Sequence, residues 1–260
     1  MGFEDYLNVM IWMDVRICFP FTLLAIGLCR MVQFDNIPAI YYTNLLAANA
    51  VQLITLIVTV ETKDGRFLNP TCLIIYGGVA MVSLYLRMII ALERCFFVIQ
   101  LSFIRQTKYS VLICVSVWII CMLLFPLLIF FRHISVMFVF ALIPSIIFLL
   151  CPIGAFISLP RAASVSAEGK RRIIATFVLL LINYSLTIVP PVCFLTFDPY
   201  YYYMDPGTQF FMTLFLLSPF MDLFLFVFMR EGPVDNLLAC LCCCCKMETP
   251  AVEDGSRFSV

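Results

Sequence analysis

Seven apolar runs, near residues 11–32, 39–60, 70–100, 109–131, 134–159, 172–197 and 208–229, constrain this chain more than any other feature. Each reaches the ~20 mostly apolar residues that a helix needs to cross the hydrocarbon of a bilayer. Hydrophobic residues make up 63% of the chain and charged residues 12%, against roughly 45–50% apolar content in soluble domains. A water-soluble core has no room for that much apolar surface, so the bilayer is the expected solvent. The expected fold is an all-α membrane protein, a seven-transmembrane helix bundle. Pro20, Pro126, Pro144, Pro152 and Pro190 lie inside the runs. They would break soluble helices but are tolerated as kinks where neighbouring helices satisfy the freed backbone groups.

Basic residues set the expected orientation. With the N-terminus outside, ten of them, from Arg30 to Arg257, fall on the cytoplasmic side against Lys63, Arg66 and Arg132 outside. That is the bias of the positive-inside rule. Residues 1–10 are then extracellular, 11–229 hold the seven spans and 230–260 form a cytoplasmic tail. The opening MGFEDYLNVM lacks the basic stretch of a cleavable signal peptide, so the first run is expected to stay in the protein. Tyr200, Tyr201, Tyr202 and Tyr203 fall at the outer interface, where amphipathic rings are favoured.

Several function classes lose support at this point. A formal net charge of zero argues against a nucleic-acid partner, whose affinity rests on neutralising phosphates. His133 is the single histidine, so no multi-histidine metal centre is expected. No Ser-His-Asp order, H-E-x-x-H or glycine-rich phosphate loop occurs, so neither an enzyme nor a cofactor is expected. Asn69 precedes proline and Asn183 lies within the sixth run, leaving no glycosylation acceptor.

The third run ends in ALERCFFVIQ, with adjacent charges at Glu93 and Arg94. Other motifs fall in order around it. NLLAAN (44–49) precedes it, Trp118 lies in the fourth run, Pro144 and Pro190 in the fifth and sixth, and MDLFLF (221–226) in the seventh. Together these resemble the rhodopsin-like G-protein-coupled receptors over roughly 11–245. In that family the third helix closes in Asp/Glu-Arg-Tyr, here Glu93-Arg94-Cys95. Asn49 stands at the second helix's acid position, and Asp222 matches the first residue of Asp/Asn-Pro-x-x-Tyr. The chain departs from the pattern at Leu28, Pro152, Lys170, Ile188, Leu223 and Phe226. Cys72 is three residues closer to Arg94 than the family's bridging cysteine, and the loop RHIS (132–135) offers no partner, so no outer disulfide is expected.

The resemblance implies a plasma-membrane receptor, multi-pass, that passes binding of an unknown extracellular ligand to a heterotrimeric G protein. Glu93 and Arg94 are the implied coupling pair, an ion pair that splaying helices release. Tyr76, Val79 and Met81 are implied ligand contacts. The alternative is a non-signalling seven-helix binding protein derived from such a receptor.

Arg87 is a reading from the residues themselves. Seven positions before Arg94, it shares that residue's helix face about 10 Å deeper in the membrane. An arginine there costs at least ~2.5–3.5 kcal/mol unless paired. Asp222, equally deep in the seventh run, is its expected counterion. With Asn49 and Ser83 these two form the expected buried polar switch. In the family this neighbourhood often binds sodium; here the guanidinium takes the ion's place. Asp14 and Arg16 are expected to snorkel to the outer interface.

After the seventh run, Val234, Leu237, Leu238 and Leu241 recur at helical spacing, as in a short amphipathic eighth helix lying on membrane lipid. Cys240, Cys242, Cys243, Cys244 and Cys245 follow, and palmitoylation is their expected fate. Contiguous cysteines without a nearby histidine lack zinc-ligand spacing, and cytosolic disulfides are disfavoured.

Overall fold

The computed structural model describes residues 3–31, 39–61, 70–98, 107–131, 133–159, 167–187 and 218–229. Among them are seven α-helices and no strand: α1 (Phe3–Met31), α2 (Ala39–Glu61), α3 (Pro70–Val98), α4 (Thr107–Phe130), α5 (Ile134–Ser158), α6 (Ala167–Thr187) and α7 (Ser218–Met229). Four of these, α2 to α5, contain segments long and apolar enough to cross a membrane. The described part of α7 has 12 residues, about 18 Å at 1.5 Å per residue, short of a ~30 Å hydrocarbon layer.

The helices close into a ring through α1–α2, α2–α4, α4–α5, α5–α6, α6–α7 and α7–α1 contacts, while α3 touches α2, α4, α5 and α6. α3 therefore runs through the middle, and Val82, Leu84, Leu86, Ile90 and Ala91 on several of its faces are fully buried. The outer faces of α4 and α5 are the reverse. Leu112, Leu123, Leu150 and Ile157 are each 62% exposed. Such a continuous apolar exterior is what a lipid solvent requires and water penalises.

Two local features fix how α3 meets its neighbours. Pro144 has no N–H, which leaves the carbonyl of Phe140, one turn back, without its helical donor. The Tyr85 hydroxyl donates to that carbonyl at 2.8 Å, and the Tyr85 and Phe140 rings stack at 4.7 Å. The proline-bearing turn of α5 is thus tied to α3. On the α4 side, Gly77 and Gly78 let the helices approach closely. A Cβ at Gly77 would run into the Phe125 ring, and one at Gly78 would lie 3.1 Å from the Met122 sulfur. Gly77→Val is expected to cost ~1–3 kcal/mol through overpacking, and Phe125→Ala in the same chain should recover part of it. Thermal midpoints of both variants in detergent check this; equal losses with and without Phe125 would contradict the contact.

Candidate functional site: a buried carboxylate clasp and the end of α3

The centre of the bundle is organised by Asp222, whose side chain is 0% exposed. Arg87 meets it side-on. Nε donates to Oδ1 and Nη2 to Oδ2, both at 2.7 Å. This two-point geometry is the strongest form of the arginine–carboxylate bond. Asn49 Nδ2 on α2 donates to Oδ2 at 2.9 Å, and Asn183 Nδ2 on α6 donates to Oδ1 at 2.9 Å. One carboxylate on α7 thereby gathers α2, α3 and α6. Four donors converge on it, satisfying the requirement that a buried charge be both paired and hydrogen-bonded.

A second tier continues between α2 and α3. Ser83 donates to Asn49 Oδ1 at 3.5 Å, and Gln52 Nε2 donates to Ser83 Oγ at 2.7 Å. The structure therefore brings Asn49, Ser83, Arg87 and Asp222 into one connected network, all at 2% exposure or less. Asn183 and Gln52 belong to it as well and were not singled out from the sequence. Gln52 carried a legible signal, since it lies three residues past Asn49 and so on the same helix face. Asn183 carried less: a lone amide in an apolar helix has no sequence-visible partner.

Glu93 and Arg94 sit near the other end of α3. Adjacent helical residues point about 100° apart, and the two diverge accordingly. Glu93 is buried beside Tyr41 of α2 and Cys114 of α4, and its Oε2 accepts no hydrogen bond among the described residues. Arg94 is half-buried.

Tyr76, Val79 and Met81 are all buried on α3. Tyr76 and Val79 share the face of Ser83 and Arg87, and the Val79 carbonyl accepts from Gln52 at 3.5 Å. Met81 lies two residues from Val79, about 200° around the helix, so the three do not line one surface. Asp14 corrects an expectation. It does not reach the interface: it is buried on α1, where Cys18 Sγ donates to its Oδ1 at 3.0 Å. Arg16, two residues on and so on the far side of the helix, is exposed and covers the Trp12 ring at 5.6 Å. Cys72 is a free thiol. The tail helix and Cys240, Cys242, Cys243, Cys244 and Cys245 lie outside the described residues. Among the described residues no group of three metal-ligating side chains occurs.

No protein-family model matches this chain, and neither does any curated protein sequence.

Proposed function

We propose that this chain is a divergent rhodopsin-like receptor of the plasma membrane, with seven spans, its N-terminus outside and Arg94 of the Glu93-Arg94 pair turned toward a heterotrimeric G protein. The ligand is an extracellular molecule held between the outer halves of helices three, five, six and seven. The observation that carries this reading is the contact of Asn49 with Asp222, 173 residues apart in sequence. The motif resemblance assigned these residues to corresponding places on the second and seventh helices without any structure, and their hydrogen bond agrees with that assignment. A transducing bundle also needs an element with two arrangements. A carboxylate shared by helices two, three, six and seven, two helical turns of α3 from an Arg94 that helix splaying uncovers, is suited to that role.

The saturation of Asp222 favours a second reading. With four donors on its carboxylate, the clasp suits a static bundle as well as a switch, and a non-signalling binding protein needs nothing more. Recruitment of each main G-protein class to membranes holding the protein separates the two. The receptor reading expects basal recruitment of at least one class, raised by Asn183→Ala, which loosens α6 from Asp222 without stranding a charge. No recruitment of any class by either well-expressed form decides for the binding protein.

The tail supplies a further expectation. Serine at Cys240 and Cys242 to Cys245 should abolish incorporation of an alkynyl palmitate while leaving membrane insertion intact, because the spanning helices hold the protein without acyl chains. Undiminished labelling would place the acylated cysteines elsewhere.

A further inference from the structure

Six cysteines among the described residues are free and buried: Cys18, Cys72, Cys95, Cys114, Cys121 and Cys151. Buried cysteines are commonly small apolar packers, and most of these fit that role. Cys18 faces Asp14 on its own helix. Cys114 and Cys121 share α4, seven residues or about 10 Å apart. Cys95 and Cys151 differ, because the two lie on different helices and within reach of each other across the α3–α5 interface.

The register of the two helices accounts for the meeting. Tyr85 of α3 stacks on Phe140 of α5. Cys95 lies ten residues further along α3 and Cys151 eleven further along α5, about 15 and 16 Å at 1.5 Å per residue. The helices run in the same direction, so both cysteines arrive at one level. Close approach is possible there because α5 presents Gly154 and Ala155 one turn past Cys151. A methyl added to Gly154 would lie 3.7 Å from Cys95 Sγ. Cys95 and Cys151 are 7% and 6% exposed, so the pair is closed to bulky thiols.

We propose that Cys95 and Cys151 form an oxidation site, a dithiol that hydrogen peroxide closes to a disulfide pinning α3 to α5. The Cys95 sulfur attacks the O–O bond of peroxide; that bond breaks, the expelled oxygen leaves as water with the thiol proton, and Cys95 becomes a sulfenic acid. The Cys151 sulfur then attacks the Cys95 sulfur. The S–S bond forms, the S–O bond breaks, and the departing hydroxide takes the Cys151 proton as a second water. The two sulfurs lose two electrons and the peroxide gains them. A sulfenic acid held against a second thiol is trapped as a disulfide before it oxidises further. The bond forms next to Arg94, fixing the end of α3 on which the Glu93-Arg94 pair sits. The site itself does not depend on the signalling reading, since it needs only the two thiols and the helix register.

The test uses the full chain in native membranes, treated with hydrogen peroxide, denatured, alkylated and digested for mass spectrometry. The expected result is a peptide linking Cys95 to Cys151, lighter by two hydrogens than its reduced parts, lost on dithiothreitol treatment and absent from Cys95→Ala and Cys151→Ala. Cys121→Ala, on α4, should leave it unchanged. Recovery of both thiols reduced, or of Cys95 as an unlinked sulfinic acid, in the unmutated chain overturns the proposal, whatever the variants do.

Discussion

Leucine at either Arg87 or Asp222 is expected to lower stability by about 3–5 kcal/mol, whereas leucine at both should come close to the parent protein. The single changes each strand one charge where neither side chain is more than 2% exposed. Asp222→Leu also removes the acceptor for Asn49 and Asn183, so it should be the worse of the two. The double change removes both charges and leaves only neutral amides with weaker unmet needs. A double-mutant cycle on detergent melting midpoints measures the coupling. Additive losses would contradict the clasp. The cycle should also be indifferent to sodium, because the guanidinium already occupies the carboxylate; a sodium-dependent midpoint in the parent would count against this arrangement.

Arg94→Ala is expected to reduce basal G-protein recruitment to the level of membranes lacking the protein, with little change in surface expression. The two halves of this expectation have separate physical grounds. Arg94 is half-buried near the end of α3, so its removal disturbs the packing less than removal of Arg87, which is 2% exposed and clasped by Asp222. The proposed coupling surface, by contrast, loses its only described arginine at that end of α3. Glu93→Gln provides the comparison, since it removes the charge from a buried site beside Tyr41 and Cys114 while keeping its shape. It should leave recruitment in place. Unchanged recruitment by a well-expressed Arg94→Ala protein would remove Arg94 from the coupling role.

The residues that were easiest to place from sequence were those whose burial is most expensive. Arg87 and Asp222 stand out because charges inside apolar runs are rare, and helix counting puts both at one depth. The amides of Asn183 and Gln52 cost less to bury alone and so stand out less, Gln52 only by its spacing from Asn49, yet they complete the network. Asp14 was misplaced because snorkelling was assigned to it and Arg16 together. Two residues apart on a helix, they face opposite sides, and only Arg16 is outside. Apolar runs matched α2 to α5 closely, whereas α1 begins at Phe3 and α6 at Ala167, before their runs at 11 and 172. Hydropathy registers only the lipid-compatible part of a helix, and both of these continue through polar turns. The Cys95–Cys151 contact was invisible because it depends on the α3–α5 register, which neither run specifies alone.

Topology in intact cells tests the central claim most directly, since Arg94, at the end of the third helix, can meet a G protein only if the N-terminus lies outside, and seven spans then put the C-terminus inside. One epitope is placed before residue 1 and another after residue 260, and antibody binding is compared before and after selective permeabilisation of the plasma membrane. Seven spans predict that the first epitope is reached on intact cells and the second only after permeabilisation. Both epitopes reached from the same side, or the reverse pattern, would contradict the account.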